Sequence, residues 1–334
     1  MSGRIREASS RIDELLQAYQ GEVPGASVLV LQEGEAIIRR SYGYADLEQR
    51  VAADPATNYR LASLTKQFTA AAVLLLIEES RMSLDAGIRV WLPSLPGVAD
   101  AVTLRHLLTH TSGVLDYEDL IPAGRVSPLH DANVLQLLES EERTYFPPGT
   151  GYRYSNSGYA LLALAAATAA GTDFASLLRA RIFEPLGMQH TVAHEEGVST
   201  VAHRAFGYSE RRGRWLRTDQ NLTSAVLGDG GIYSSADDWE KWDGALSDDR
   251  LFRPESLRLA LTPATATDDA AVRYGFGWRI TADTVWHSGE SIGFRNAVVR
   301  FPGRRLTVLV LTNRDEPGPY PIALEIAALV NPRC

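Results

Sequence analysis

The sequence predicts an α/β fold, more closely an α+β sandwich, in which one antiparallel sheet is built from both chain ends and flanked by helices. Strand-like segments rich in Val and Ile, with glycines at the turns, lie near both ends, at 26–46 and 274–313. Helical periodicity dominates the stretch between them, about 64–260. Because elements of one type pack together in layers, this order predicts an all-helical region inserted into the sheet.

The same segments divide the chain into two predicted domains. The α/β sheet domain comprises 1–62 and 269–334, and the mainly helical domain comprises 63–268. Small-molecule sites are commonly found in clefts between packed units, so we expect the active site between these two domains.

The elements follow one another in a clear order along the chain. Apolar residues at helical spacing, among them Ile5, Ile12 and Leu16, predict an N-terminal amphipathic helix packed on the core. Two strands joined at Gly34 come next, and a helix closes the chain over 319–331. The predicted helices of the inserted region are 68–79, 104–110, 133–140, 159–168, 174–183 and 237–246. The predicted C-terminal strands are 274–280, 284–291, 293–302 and 306–313.

Composition and charge narrow the class of partner. The 334 residues carry a net charge of −8, which disfavours nucleic acid and anionic membranes. The arginine-rich stretch 211–217 is interpreted as a solvated hairpin or loop. The longest apolar run, 159–171, is too short and alanine-rich to span a bilayer. We therefore expect a small-molecule substrate, with no nucleic-acid and no membrane partner.

Cellular location is less constrained by the sequence. The single cysteine, Cys334, can form no intrachain disulfide, and the first 25 residues contain no apolar signal-peptide core. We expect a cytoplasmic protein, or a periplasmic or secreted one if a leader has been removed.

One lysine stands out in a chain that otherwise uses arginine. Of the 33 Lys and Arg residues only Lys66 and Lys241 are lysines, and Lys66 follows Ser63 by three positions at a predicted helix start. A lysine in a first helical turn opposes the helix dipole, so it is a poor structural choice. The structural alternative is an N-cap serine followed by a surface lysine.

The Ser-x-x-Lys spacing nevertheless suits nucleophilic catalysis. Residues three apart share a helix face, so the Lys66 amine can approach the Ser63 hydroxyl. Burial and the helix N-terminus favour the neutral amine, which can accept the hydroxyl proton, whereas arginine cannot. Taken alone this spacing is a weak signal, because serine and lysine are both common residues.

Two later segments supply groups of the same chemistry. Tyr154 and Asn156 lie two apart before an apolar helix, where a phenol can move a proton and an amide can orient a lysine and a substrate carbonyl. A polar turn capping that helix is the alternative. On a predicted strand, His287 precedes Gly289, a residue that allows close approach of a ligand backbone.

Together these segments resemble the three ordered motifs of the serine β-lactamase and penicillin-binding protein superfamily. The motifs are Ser63-Leu64-Thr65-Lys66, Tyr154-Ser155-Asn156 and His287-Ser288-Gly289. The Tyr-x-Asn form resembles the class C β-lactamase branch, which includes D-Ala-D-Ala carboxypeptidases, D-aminopeptidases and related carboxylesterases. The stretches 107–114, 183–188 and 228–239 are also similar to that branch, and the likeness covers about residues 20–330. The resemblance implies a β-lactamase/transpeptidase-like fold.

The resemblance also implies a role for each motif residue. Ser63 is expected to be the acylated nucleophile and Lys66 its base or proton relay. Tyr154 is expected to pass a proton to the leaving group and to activate water. Asn156 is expected to orient Lys66 and the acyl group, while the backbone N–H groups of Ser63 and Glu290 form the oxyanion hole. This acyl-enzyme chemistry implies no cofactor and no metal.

The third motif differs from that of true class C β-lactamases, which resemble Lys-Thr-Gly. Because His287 replaces that permanent cation and is close to neutral at physiological pH, strong β-lactamase activity is not expected. We expect a serine hydrolase of a small ester or amide, carboxylesterase-type with weak β-lactam reactivity. The alternatives are a D-Ala-D-Ala carboxypeptidase or D-aminopeptidase, and further an acyltransferase or a non-catalytic binding relative.

Two other signals have simpler structural explanations. His106 and His110 have the i, i+4 spacing of a zinc-binding helix, but they lack an adjacent glutamate and a third ligand, so we interpret them as structural. Tyr117 is a further candidate for the pocket lining.

Overall fold

The computed structural model describes residues 3–332, which form one large sheet, several small sheets and a set of helices. Cys334 lies outside this range. The strands are β1 (Ala26–Gln32), β2 (Glu35–Tyr42), β3 (Tyr44–Asp46), β4 (Val51–Ala52), β5 (Tyr59–Arg60), β6 (Val192–Ala193), β7 (Tyr208–Arg211), β8 (Arg214–Arg217), β9 (Ile232–Ser234), β10 (Thr265–Ala266), β11 (Arg273–Tyr274), β12 (Arg279–Ile280), β13 (Val285–Ser291), β14 (Phe294–Phe301) and β15 (Leu306–Thr312). The α-helices are α1 (Gly3–Leu15), α2 (Lys66–Glu78), α3 (Leu104–Leu108), α4 (Asp131–Glu139), α5 (Asn156–Ala170), α6 (Phe174–Leu178), α7 (Glu184–Leu186), α8 (Leu227–Gly230), α9 (Ala236–Ala245), α10 (Pro254–Ala260) and α11 (Pro319–Val330).

The main sheet joins the two ends of the chain, as the sequence predicts. Within residues 3–332 it has eight antiparallel strands in the order β10-β11-β12-β13-β14-β15-β1-β2. The junction is the pairing of β1 with β15, in which Ala26 lies opposite Thr312 and Gln32 opposite Leu306. The predicted α+β fold is therefore confirmed.

The central strands are apolar on both faces because both faces of the sheet are covered. Val28 and Val30 of β1 pack with α1 and α11 in one core cluster. Leu29 and Leu31, which point the opposite way, pack into a second and larger cluster that extends through the helical region. A strand buried on both faces loses the apolar/polar alternation of a half-exposed strand, which explains the continuous apolar sequence of β1.

The inserted region is helical at its centre but is not all-helical, which corrects that detail of the expectation. Of the three small sheets outside the main sheet in the described residues, β7-β8 lies wholly within 63–268, and β5-β9-β6 takes two of its three strands from there, whereas β3-β4 precedes that region. Strands of two or three residues are too short for periodicity to reveal. The exception is the β7–β8 hairpin, which forms at the arginine-rich stretch where the sequence predicts a hairpin or loop.

The helices of this region are packed inside the protein. In residues 3–332, no single helix is long and apolar enough to cross a membrane. The segments Asn156–Ala170 and Phe174–Leu186 reach that length and composition only as a pair bent by 76°.

The edge of β13 lies directly against the turn that precedes α2. A Cβ atom added to Gly289 would come within 2.1 Å of the Leu61 carbonyl oxygen and 3.3 Å of the Leu64 nitrogen. Because real Cβ atoms do not approach backbone so closely, only glycine permits this contact between the sheet and the helical region.

We therefore predict that Gly289→Ala separates β13 from the turn before α2. The free energy of unfolding should fall by about 1–3 kcal/mol, the usual cost of overpacking, and turnover should fall with it. Gly303→Ala is the matched control, because an added Cβ there has no neighbour within 4 Å. Thermal unfolding and ester hydrolysis measured on both variants check this; equal behaviour of the two would contradict it.

Candidate active site

Ser63 lies on a tight turn between β5 and α2. Residues Ala62–Thr65 form a 3-10 turn, and the α-helix begins at Lys66 rather than at Ser63 as the sequence analysis expects. Ala62 has a φ of 50°, a left-handed conformation that turns the chain sharply before the serine. In a 3-10 turn, side chains three residues apart are eclipsed, so Ser63 and Lys66 are directly superimposed.

The Lys66 amine is fully buried and contacts three oxygen atoms. Its Nζ lies 3.0 Å from Ser63 Oγ, 2.8 Å from Asn156 Oδ1 and 3.0 Å from the carbonyl oxygen of Asp229. The amide and carbonyl oxygens can only accept hydrogen bonds, so they take two N–H groups of the amine. In the neutral amine the remaining position is the lone pair, which then faces the Ser63 hydroxyl.

Asn156 is held at both of its polar ends. Its backbone N–H donates to Asp116 Oδ2 at 2.7 Å, and its side-chain Nδ2 donates to Glu118 Oε1 at 2.8 Å. Because a carboxylate only accepts, Glu118 fixes the amide with its oxygen toward Lys66. Burial, and then the negative charge of Asp116, raise the pKa of Glu118.

A buried carboxyl group lies on the other side of Lys66. Tyr117 donates from its hydroxyl to Asp229 Oδ2 at 2.9 Å, and both side chains are buried. Burial raises the pKa of Asp229 well above its usual range, so the ionised form is disfavoured. Tyr117, a sequence candidate for the pocket lining, does line the pocket in front of Ser63.

Tyr154 is close to this group without bonding to it. Lys66 Nζ is 5.0 Å from the centroid of the Tyr154 ring, and the centroid of the His110 ring lies 4.2 Å from it, with the two ring planes tilted by 36°. Within residues 3–332 the buried Tyr154 hydroxyl has no hydrogen-bond partner. The Arg279 guanidinium lies 5.5 Å from the centre of the same ring.

His287 is buried behind these residues and is neutral. Its Nδ1 donates to the carbonyl of Ser288 at 2.6 Å, so its Nε2 accepts from the Tyr274 hydroxyl at 3.0 Å. Burial, with the charges of Arg279 and Lys66, lowers the pKa of His287 to about 3. The side chain therefore supplies no positive charge at neutral pH.

A small pocket of about 50 Å³ opens in front of Ser63. It continues past two residues of β13, Glu290 and Ser291, into a groove of about 760 Å³ beside the β7–β8 hairpin. The pocket is lined by Arg60, Ala62, Ser63, Tyr117, Glu118, Asn156, Thr223, Ser224, Asp229, Gly230, Glu290 and Ser291.

Some of the predicted site residues lie at the pocket and others lie behind it. Ser63, Lys66 and Asn156 are joined by hydrogen bonds, and Glu290 lines the same pocket as Ser63. Tyr154 lies beside them, whereas Gly289 and His287 lie behind the pocket.

The sequence analysis missed three charged residues of this pocket, Arg60, Glu118 and Asp229. Asp229 falls within the stretch 228–239, which carries part of the resemblance, so this stretch could have identified it as a candidate site residue. Arg60 and Glu118 had no distinguishing signal, because arginine and glutamate are ordinary residues of this chain.

The two histidines with zinc-like spacing have structural partners. The backbone N–H of Thr103 donates to His106 Nδ1, and that of Ser155 donates to His110 Nδ1, each at 3.2 Å. Among residues 3–332, no three His, Cys, Asp or Glu side chains are grouped as metal ligands would be.

A serine on a strand-to-helix turn, hydrogen-bonded to a buried lysine that an asparagine also holds, defines a class of protein, the Ser-x-x-Lys serine hydrolases. Comparison with known families agrees, because the family model described as "Beta-lactamase" matches residues 10–331. The chain belongs to the β-lactamase family and is a serine hydrolase.

Individual relatives lie in the penicillin-binding and D-peptidase part of that family. Penicillin-binding protein 4* of Bacillus subtilis is 30% identical over 321 residues, covering 90% of this chain and 71% of that protein. A D-aminopeptidase of Gluconobacter oxydans is also 30% identical over 321 residues, covering 91% of this chain but only 59% of that protein. The octameric penicillin-binding protein homologue from Pyrococcus abyssi has a TM-score of 0.84 at 26% identity, covering 99% of this chain and 77% of that one.

We predict that Lys66→Arg lowers turnover at least about a hundredfold, nearly as much as Ser63→Ala. Arginine keeps the charge, but it cannot give up a proton to become a base. The matched control is Lys241→Arg at the only other lysine, which pairs with Asp238 at 2.8 Å, a contact that arginine can also make. Steady-state ester hydrolysis decides; a Lys66→Arg enzyme with more than about a tenth of wild-type turnover would refute the assignment of the base.

We also predict a pH-dependent contribution of His287 to stability. Its folded-state pKa of about 3 lies below the usual histidine value of 6.5, so its stabilising contribution is present above pH 6.5 and is lost as the pH falls toward 3. Between about pH 6 and pH 4, the free energy of unfolding of the wild type should fall by up to about 1.4 kcal/mol per pH unit more than that of His287→Gln. Denaturant unfolding at several pH values measures this, and parallel curves for the two proteins would contradict it.

Proposed function

We propose that Ser63 attacks a small ester or amide to form an acyl-enzyme that water then hydrolyses. We further propose that the preferred reaction is of the carboxylesterase type, with weak β-lactam reactivity. The observation that carries this proposal is the position of the Lys66 amine. Asn156 Oδ1 and the Asp229 carbonyl oxygen occupy two of its bonding directions, so the third, which is the lone pair in the neutral amine, points at Ser63 Oγ.

In the acylation step, the neutral Lys66 amine takes the Ser63 proton as Oγ bonds to the substrate carbonyl carbon. The carbonyl π pair moves to oxygen, where the backbone N–H groups of Ser63 and Glu290 stabilise the negative charge. The tetrahedral intermediate collapses, the bond to the leaving group breaks, and the proton passes to the leaving atom. We assign delivery of that proton to Tyr154, because its ring lies 5.0 Å from the amine and its hydroxyl has no partner within residues 3–332.

In the deacylation step, a water molecule replaces the leaving group. Lys66 accepts one proton of that water, relayed by the Tyr154 hydroxyl, as the water oxygen bonds to the acyl carbon. The bond from that carbon to Ser63 Oγ then breaks, the proton returns to Oγ, and the carboxylic acid leaves. An alcohol in place of water would give acyl transfer by the same path.

A second candidate, D-Ala-D-Ala carboxypeptidase activity, is favoured by Arg279. This half-buried guanidinium lies between the rings of Tyr154 and Trp286, 5.5 Å from each centroid, and has no ion pair within residues 3–332. It is a permanent cation on the side from which the leaving group departs, a suitable partner for a leaving-group carboxylate. The similarity to penicillin-binding protein 4* supports this alternative.

We predict that benzylpenicillin forms a covalent adduct on Ser63 that persists, and that nitrocefin is turned over more slowly than the best ester. His287 supplies no positive charge at the third motif, and Asn156 Nδ2 is already bonded to Glu118, so these two motif positions bind the carboxylate and amide of a β-lactam weakly. Intact mass with wild type and Ser63→Ala detects the adduct. A panel of 4-nitrophenyl esters, D-alanyl anilides and nitrocefin ranks the activities.

Each outcome of that panel has a clear meaning. Absence of both an adduct and ester hydrolysis would reject the acyl-enzyme proposal. Faster cleavage of D-alanyl anilides than of every ester would replace the esterase proposal with D-aminopeptidase activity. Nitrocefin turnover equal to that of the best ester would show that the argument from His287 is wrong.

A further inference from the structure

Arg60 forms part of the wall of the Ser63 pocket, although it is almost completely buried. It is the last residue of β5, three positions before Ser63, and it is 1% exposed. Its Nη1 donates to Ser224 Oγ at 2.8 Å and to Ser291 Oγ at 3.3 Å, and its Nη2 donates to Tyr233 Oη at 2.7 Å. Its Nε has no partner in residues 3–332.

The positive charge of Arg60 is not balanced by a neighbouring acid. In the described part of the chain, no carboxylate lies within ion-pair distance of its guanidinium, which is flanked by the rings of Tyr233 and Phe294 at 5.3 and 5.4 Å. The nearest ion pair joins Arg204 to Asp219 at 2.6 Å, and Arg204 also bonds to Tyr233. Asp219 therefore pairs with Arg204 and not with Arg60, whose buried positive charge has no acidic partner among the described residues.

The acids that line the same pocket do not neutralise this charge. Within residues 3–332 neither Glu118 nor Asp229 forms an ion pair with Arg60: Glu118 accepts from the Asn156 amide, and burial disfavours the ionised form of Asp229. The Glu290 side chain is 68% exposed and lies 3.8 Å from Arg295.

The groups around Arg60 suit a carboxylate ligand. Both Nη1 hydrogens of Arg60 are taken by Ser224 and Ser291, so the donors left for a ligand are its Nε–H and the second hydrogen of Nη2. Donors of a guanidinium suit the oxygens of a carboxylate. The Ser224 and Ser291 hydroxyls both accept from Arg60, and both side chains line the pocket. Ser224 donates its own hydrogen to Asn221 Oδ1 at 2.8 Å and so positions the guanidinium, whereas Ser291 can turn its hydrogen toward a ligand. A bound carboxylate would also supply the missing negative charge.

The position of Arg60 relative to Ser63 decides which half of the substrate carries that carboxylate. Tyr154, which serves the leaving group in the proposed mechanism, is not among the lining residues of this pocket within 3–332. A group held here therefore belongs to the acyl half, which stays on Ser63 after the leaving group has departed.

We propose that Arg60, positioned by Ser224 and assisted by the Ser291 hydroxyl, forms a subsite for a carboxylate on the acyl group of the substrate. The preferred substrates are then esters or amides of dicarboxylic or other acidic acyl groups. This proposal rests on the proposed function, because it requires acylation of Ser63.

The test compares matched 4-nitrophenyl esters that differ only at the far end of the acyl chain. The mono-4-nitrophenyl esters of glutaric and adipic acid are compared with 4-nitrophenyl pentanoate and hexanoate, and each rate is corrected for that with Ser63→Ala. For wild type, kcat/KM should be at least about tenfold higher for one acidic ester than for its neutral counterpart, as a charge-assisted hydrogen bond provides. Arg60→Met should remove that preference, and Arg60→Lys should keep part of it.

Controls separate this subsite from general charge effects and from misfolding. Arg214→Met removes an exposed arginine on β8 and should keep the preference. Ser224→Ala and Ser291→Ala, which leave the buried arginine in place, should each weaken it severalfold. In wild type, adipate should inhibit hydrolysis of the neutral ester more strongly than adipamide does, a readout that needs no variant.

The outcomes distinguish this proposal from the proposed function. Hydrolysis of neutral esters by wild type without preference for acidic ones would overturn the Arg60 subsite and leave the acyl-enzyme intact. An equal loss of the preference in Arg214→Met would also overturn it. In 4-acetoxybenzoate the carboxylate is on the leaving group. If Arg60→Met lowered kcat/KM only for this ester, Arg60 would bind the leaving group and not the acyl group, and the proposal would be wrong.

Discussion

The burial of the Lys66 amine is the constraint on which the rest of the site depends. An amine removed from water must have all its polar positions satisfied, and here three separate segments supply the oxygens. They are the turn before α2, the first residue of α5 and the backbone of α8. The helices must therefore keep their relative positions for the serine to keep its partner, so the packing of the helical core maintains the catalytic geometry.

How much of the fold and the site can be predicted from the sequence depends on how far apart in the chain the interacting residues are. The two-ended sheet and the Ser63–Lys66 pair follow from periodicity and short spacing, and both are present in the structure. The link from Asn156 to Glu118 spans 38 positions, and that from Arg60 to Ser291 spans 231. No local pattern contains such contacts, because they arise only when the tertiary fold brings distant segments together.

His287 shows how a motif position can be recognised while its environment is not. Neutrality at physiological pH was expected from the residue type, but the structure supplies a stronger cause in full burial beside Arg279 and Lys66. The ring bonds to Tyr274, and Tyr274 and Tyr154 both pack near His110, so the side chain forms part of an aromatic layer behind the pocket. The permanent cation on this side is Arg279, from the neighbouring strand β12.

Two arginines place a positive charge on each side of Ser63. Arg279 lies beside Tyr154, on the leaving-group side, and Arg60 lies in the pocket on the acyl side. A charge on the leaving-group side acts only until acylation is complete, whereas a charge on the acyl side acts on both acylation and deacylation. If the acyl carboxylate stays bound to Arg60, the ester on Ser63 is held in one orientation while water attacks, so selectivity for the acyl group is applied in both steps.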